Sequence, residues 1–215
     1  MKQGILFDLD GTLWDSSKEV ADSWLLALQE EPDIAGAVTR EAVQSVMGKP
    51  MNEIADIVFA GFSKERRMQL LAHCMQVENE YIRVHGGHLF PGLEETLSLL
   101  KRDYHLSIVS NCQTGYIEAF LEYHGLTEYF DDFESYGGTG LSKGENIRLV
   151  VERNGLKDAV YVGDTQGDYD AASFAGIPFI HARTGYGAIN VKVPYVERFS
   201  QLPEVVREIL HADSK

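Results

Sequence analysis

The chain has little cysteine and no concentrated positive charge. Only Cys74 and Cys112 occur in 215 residues, far apart and at no metal or redox spacing. Buried thiols in a reducing compartment are therefore expected. Lys and Arg number 19 against 33 Asp and Glu, a net charge of -14, and no basic run gathers the cations into a patch. That balance repels phosphate backbones and acidic membrane surfaces, so neither nucleic acid nor a membrane is an expected partner. No apolar stretch is long enough to span a bilayer. The opening "MKQ" runs straight into the first apolar segment, without the parts of an export signal, which predicts a cytoplasmic protein. Internal repeats and low-complexity tracts are absent too.

What remains is ordinary globular composition, 44% hydrophobic and 24% charged, in a chain long enough for one core plus a smaller inserted domain. Short apolar runs at Gly4 to Phe7, Leu106 to Asn111, Ala159 to Asp164 and Ile177 to Ala182 have the character of buried parallel strands. Helical patterns lie between the later ones: Tyr116 to His124, with Ile117, Phe120 and Leu121 on one face, and Glu145 to Asn154, with Ile147, Val150 and Val151. The alternation predicts an α/β protein with a doubly wound, Rossmann-like parallel sheet. Residues 17–87 break the rhythm with amphipathic stretches, "KEVADSWLLALQEE", "REAVQSVM" and "KERRMQLLAHCMQVENEYIRV", and no convincing strand. They predict an all-helical cap inserted into a core of residues 1–16 and 88–215, with "HGGHLFPG" marking the return.

Polar residues collect where the predicted strands end. The first runs into "DLDGT", with Asp8 and Asp10 one residue apart; the second ends in Ser110 and Asn111; "YVGDTQGD" brings Asp164 and Asp168; and Lys143 precedes a helix in "GLSKGEN". Taken singly, each has a plain structural reading as a turn, a helix cap or a solvated lysine. In an open parallel sheet, however, all of these positions fall at one carboxyl edge, where ligands bind. Clustered carboxylates for a hard cation, a hydroxyl and an amide for oxyanions, and one lysine form a set suited to phosphoryl transfer.

These stretches resemble the motifs of the haloacid dehalogenase-like hydrolases, specifically the phosphoglycolate phosphatase and β-phosphoglucomutase-like branch with a small helical cap. "DLDGTLWDS", "SN", Lys143 and "GDTQGD" correspond to its four motifs, and "FPG" at 90–92 to the return from the cap. The resemblance implies that Asp8 is the nucleophile and forms an aspartyl phosphate, while Asp10 serves as general acid and then base. It implies Mg²⁺ held by the Asp8 carboxylate, the Asp10 carbonyl and Asp164, with Asp168 either behind these ligands or touching the metal. Ser110, the Asn111 amide and Lys143 then hold the phosphate. Because dehalogenase relatives lack an aspartate at the position of Asp10, dehalogenation is set aside. The implied substrate is a small phosphorylated metabolite, and the implied state a monomer or small homo-oligomer. Hydrolysis is favoured over a phosphomutase reaction, and a non-catalytic binding role is a distant third.

Other residues carry weaker expectations. Trp14 stands where an aliphatic residue is commoner, and either shapes the cavity roof or packs. Lys49, in a cap loop, either meets the substrate's distal anion or is solvated. His85 and His88 are taken as linker residues, Trp24 with Leu25 and Leu28 as cap core, and "YGGTG" at 136–140 as a turn.

Overall fold

The computed structural model describes residues 2–29, 31, 34 and 38–211. Glu30, near the end of the first expected helical stretch, and the outermost ends of the expected core, Met1 and residues 212–215, lie outside this set.

A six-stranded sheet in the order β5-β4-β1-β6-β7-β8 forms the centre. Its strands are β1 (Gln3–Phe7), β4 (His105–Ser110), β5 (Asp132–Ser135), β6 (Asp158–Gly163), β7 (Phe179–Ala182) and β8 (Tyr195–Val196), and every pairing is parallel. Alternation along β1 explains why the run is apolar throughout. Ile5 and Phe7 bury into one cluster and Leu6 into another, all fully inaccessible, as a parallel sheet covered on both faces requires. Strand β6 repeats the division, with Val160 and Val162 on the first side and Ala159 and Tyr161 on the second. Helices Lys143–Arg153 and Gln166–Ala175 supply the second cluster through Ile147, Val150, Ala171 and Ala172. Helices Leu93–Leu100, Tyr116–His124 and Leu202–Leu210 supply the first through Leu97, Phe120 and Val206.

Among the described residues between Ser17 and His85 there is no strand, and the helices include Ser17–Ala27, Arg40–Val46, Met51–Val58 and Lys64–His85. Beside them, Trp14–Asp15 (β2) and His88–Leu89 (β3) pair antiparallel, Trp14 opposite Leu89. The two crossings between cap and core are thus tied together as a small ribbon. Trp24 is buried in the cap, stacked on Phe59 with ring centroids 5.9 Å apart.

Two local features differ from expectation. "YGGTG" is not a plain turn: Tyr136–Thr139 is a single helical turn capped by the Ser135 hydroxyl, which accepts from the Gly138 amide at 3.1 Å. Strand β5, "DFES", was hidden by its two acidic residues. Arg153 offsets them, donating to both carboxylate oxygens of Asp132 at 2.7 and 2.8 Å and to Glu134 at 2.7 Å.

Candidate active site

The chain switches direction across the sheet at β1, which lies between β4 and β6, and the site forms at the carboxyl edge there. Asp8 follows β1 and Asp164 follows β6; Phe7 is in register with Val162, so the pairing of the strands delivers both carboxylates together. Asp168 joins them from the first turn of Gln166–Ala175. There Thr165 and Asp168 form a reciprocal cap, with Asp168 Oδ2 accepting from the Thr165 amide at 3.0 Å and its hydroxyl at 2.7 Å. One oxygen from each of Asp8, Asp164 and Asp168 lies within 4.8 Å of the others.

Lys143 joins this group from the first turn of helix Lys143–Arg153. Its Nζ donates to Asp8 Oδ1 at 2.9 Å and Asp168 Oδ1 at 2.6 Å, and all three side chains are buried. Burial alone would lower the lysine's pKa, but the charges of Asp168 and Asp8 hold it well above its ordinary value. Burial, with Asp168 and Asp164 nearby, pushes Asp8 well up in spite of Lys143. Asp164 is pushed up to about 6 by burial and Asp168, against the Tyr186 and Gly187 amides, which donate to its Oδ2 at 2.9 and 3.1 Å. One lysine therefore leaves three buried carboxylates short of positive charge. Asp8 Oδ2 is buried without any hydrogen-bond partner, and the donor set is all oxygen. A hard divalent cation fits, and its charge would bring the raised carboxylates back to their ionised form. Glycine is required beside it: a Cβ on Gly11, whose φ is +79°, would lie 2.6 Å from Asp164 Oδ2.

Asp10 is built differently. Its Oδ1 accepts from the Ser16 hydroxyl at 2.6 Å, the Tyr116 hydroxyl at 2.9 Å and the Trp14 indole at 3.0 Å. Three donors on one oxygen fix the carboxyl's orientation and leave Oδ2 out of that network. Burial raises its pKa, opposed by those same hydrogen bonds. Trp14 is accordingly not a cavity roof. It is fully buried, packed edge-on against Tyr116 and Phe120 with its indole N–H on Asp10, and it is absent from the cavity lining.

The cavity between cap and core reaches Asp10, Ser110 and Asn111 at its base, with Lys49, Trp24 and Glu78 among the other lining residues. Ser110 ends β4 and is buried. The Asn111 side chain donates to the Gly48 carbonyl at 2.8 Å, which ties the core loop to the cap loop that carries Lys49. Lys49 itself is exposed. His85 ends the long cap helix, stacked on Tyr81, and His88 lies in β3; neither belongs to the carboxylate group.

Several residues of the site were not singled out from the sequence. Tyr116 and Ser16 orient Asp10, while Tyr186, Gly187 and Thr12 hold Asp164, the last by a long contact of 3.5 Å. For the loop at 184–187 the available signal was "TGYG": a Cβ on Gly187 would come within 2.3 Å of the Asp164 carbonyl oxygen. Tyr116 gave no local signal, because its hydroxyl acts 106 residues away in sequence.

Residues 5–182 match the family model for haloacid dehalogenase-like hydrolases. A phosphoglycolate phosphatase of Photobacterium profundum is 30% identical over 224 residues, covering 94% of this chain and 95% of that protein. Among solved structures, a predicted phosphatase from Clostridium acetobutylicum superposes with a TM-score of 0.77 at 23% identity, over 97% and 99% of the two chains. A 2-haloacid dehalogenase from Pseudomonas syringae gives 0.67 at 23% identity, over 97% and 99%. At such identities these structures establish the architecture alone. With the family model spanning most of its length, the chain belongs to the haloacid dehalogenase-like hydrolases.

Proposed function

We propose that the protein is a Mg²⁺-dependent phosphatase that hydrolyses a small phosphate monoester through an aspartyl phosphate on Asp8. The observation that carries this reading is the division of labour between two neighbouring carboxylates. Asp8 lies in a charged cluster with Lys143, Asp168 and Asp164, whereas Asp10 is held apart by Trp14, Ser16 and Tyr116. Two carboxyls in contrasting environments are suited to different tasks. The similarity to phosphoglycolate phosphatases supports the same reaction class.

In this mechanism an Asp8 oxygen attacks phosphorus and the bond from phosphorus to the ester oxygen breaks. Asp10 gives its proton to the departing alkoxide, which leaves as the alcohol. Water then attacks the aspartyl phosphate, Asp10 takes the proton, and the bond between phosphorus and Asp8 breaks to release phosphate. Lys143 steadies the nucleophile and, with Ser110 and the Asn111 amide, faces the developing charge on the phosphoryl oxygens. Asp8 and Asp164 would hold Mg²⁺, which when bound neutralises phosphate oxygens and carboxylates together. Asp168, whose oxygens are engaged by Lys143 and Thr165, positions the lysine.

The test is phosphate release from acetyl phosphate and a panel of small monoesters, after chelation and again with Mg²⁺ restored. Activity that disappears with EDTA and returns with Mg²⁺ is expected. Equal rates in EDTA would remove the metal from the mechanism. An isomerised product without free phosphate would replace hydrolysis by a mutase reaction.

A further inference from the structure

The lining of the cavity above Asp10 bears on which alcohol leaves. Its walls include Val20, Val46, Met51, Ile54 and Val58 from three cap helices, beside Trp24. Among the described lining residues the carboxylates are Asp10 and Glu78, and the only lysine or arginine is Lys49, which is exposed. A second anionic group on the substrate, beyond the phosphate, would therefore enter apolar surroundings beside Glu78 with no buried counter-charge, an unfavourable transfer.

Two buried acceptors lie on the same wall. Glu78 is 3% exposed; its oxygens take one donor each, the Trp24 indole N–H and Gln113 Nε2, the latter at 3.0 Å. A carboxylate oxygen can accept a further hydrogen bond. Gln113 is 6% exposed and spends its Nε2 on Glu78 and on Asn79 at 3.1 Å, while its Oε1 is buried with no partner. Buried acceptors left empty are rare, because the loss of their water contacts goes uncompensated.

Resting on the phosphatase reading above, we propose that the cap selects the phosphate monoester of a compact alcohol that is apolar along its length and ends in a hydrogen-bond donor, an ammonium or a hydroxyl, and that it rejects esters ending in a carboxylate. The apolar walls take the carbon chain, Glu78 and Gln113 take the donor, and the phosphate stays at Asp8. Glu78 and Gln113 are specificity residues in this scheme; neither touches phosphorus.

The experiment compares kcat/KM at pH 8 in Mg²⁺ for four esters of similar size: O-phosphoethanolamine, 2-hydroxyethyl phosphate, propyl phosphate and 2-phosphoglycolate. Acetyl phosphate serves as a check on the core reaction. The two donor-bearing esters should exceed the other two by about tenfold or more, the worth of one hydrogen bond to a charged group. In Glu78→Gln the preference for O-phosphoethanolamine over propyl phosphate should shrink by a similar factor. A kcat/KM on 2-phosphoglycolate or propyl phosphate equal to that on both donor-bearing esters overturns the proposal, and so does an unchanged preference in Glu78→Gln. The wild-type series decides the matter even where the variant folds poorly. Release from acetyl phosphate with the wrong ester preference strikes only this proposal, whereas no release from any compound strikes the phosphatase reading itself.

Discussion

On the sheet side of Asp10, four buried charged groups, Asp8, Asp164, Asp168 and Lys143, hold one another; on the cap side, valine, isoleucine, methionine and tryptophan side chains surround Glu78 and Gln113. The first region is assembled from residues just past strand ends or in the first turn of a helix, so parallel pairing and two helix starts at the sheet edge bring them together. The second is assembled from four cap helices and a core loop, and exists only when the cap rests on the core. The two proposals above accordingly assign reaction type to the sheet edge and choice of substrate to the packing of the cap. Perturbing each region separately tests that division.

The largest effect is expected from Asp8→Asn, which keeps the shape and removes the attacking charge. Turnover on every ester should fall by roughly 10⁴-fold or more, with the circular dichroism unchanged. Substantial residual activity in a folded variant would mean that the nucleophile lies elsewhere. Asp10→Asn comes next, at roughly 10²- to 10⁴-fold, the usual worth of acid and base catalysis. In the proposed mechanism a leaving group such as p-nitrophenolate departs without a proton, whereas hydrolysis of the phosphoenzyme still needs Asp10 as base. Rapid-quench mixing should then show a burst of nitrophenol approaching one per site, with the protein's mass raised by one phosphoryl group. A slow rate without a burst would assign Asp10 a positioning role only.

Lys143→Met tests the charged cluster through stability rather than rate. It leaves three carboxylates within 4.8 Å of one another without their buried cation. Removing one member of a buried charge network costs about 3–5 kcal/mol. Urea unfolding in EDTA should show that loss, and Mg²⁺ should stabilise the variant more than the wild type. Equal stabilisation of both proteins by Mg²⁺ would show that the ion and the lysine do not answer the same charge.

The contrast also explains what could be read in advance. The parallel sheet and the places of Asp8, Asp10, Ser110 and Asp164 were legible because each belongs to a short local pattern, an apolar strand running into polar residues, and Lys143 because it stands at a helix start between two such strands. Asp168 was legible as a neighbour but not as the residue that shares Lys143 with Asp8, because that pairing spans 25 residues. For Trp14 a roof and a packed position both stayed open, because sequence position says nothing about which way an indole turns; here it turns inward to Asp10. Glu78 was invisible. Within "QVENEYIRV" it has the look of a solvated helix acid, and its burial follows only from the approach of Trp24 and Gln113, 54 and 35 residues distant. Strand β5 was hidden for a related reason, since its acids are acceptable only once Arg153 is in place.

The smallest effect concerns that same glutamate, and its sign is the informative part. Burial raises the Glu78 pKa from 4.5 to about 7, although Gln113 and Trp24 both donate to it, and Asp10 adds a repulsive charge. The folded protein thus holds this proton more tightly than the unfolded chain does. The resulting stabilisation is complete below the unfolded value and disappears as pH rises through the folded one, so it is lost between about pH 4.5 and 7. At 1.36 kcal/mol per unit the full swing is roughly 3 kcal/mol. Glu78→Gln removes the titration while keeping an amide of the same shape; Trp24 can still donate to its oxygen, and a turned Gln113 amide can present its unpartnered Oε1 to the new NH₂. Wild type and variant should have similar stability at pH 5, and the variant should gain on the wild type up to pH 8, by as much as roughly 3 kcal/mol. Thermal unfolding followed at pH 5, 6, 7 and 8 measures the difference, with about 2–4 °C expected per kcal/mol in a chain of this size. A gap that stays constant across the range would show that Glu78 does not change charge in the folded cap, and that the cavity wall is held by hydrogen bonds alone.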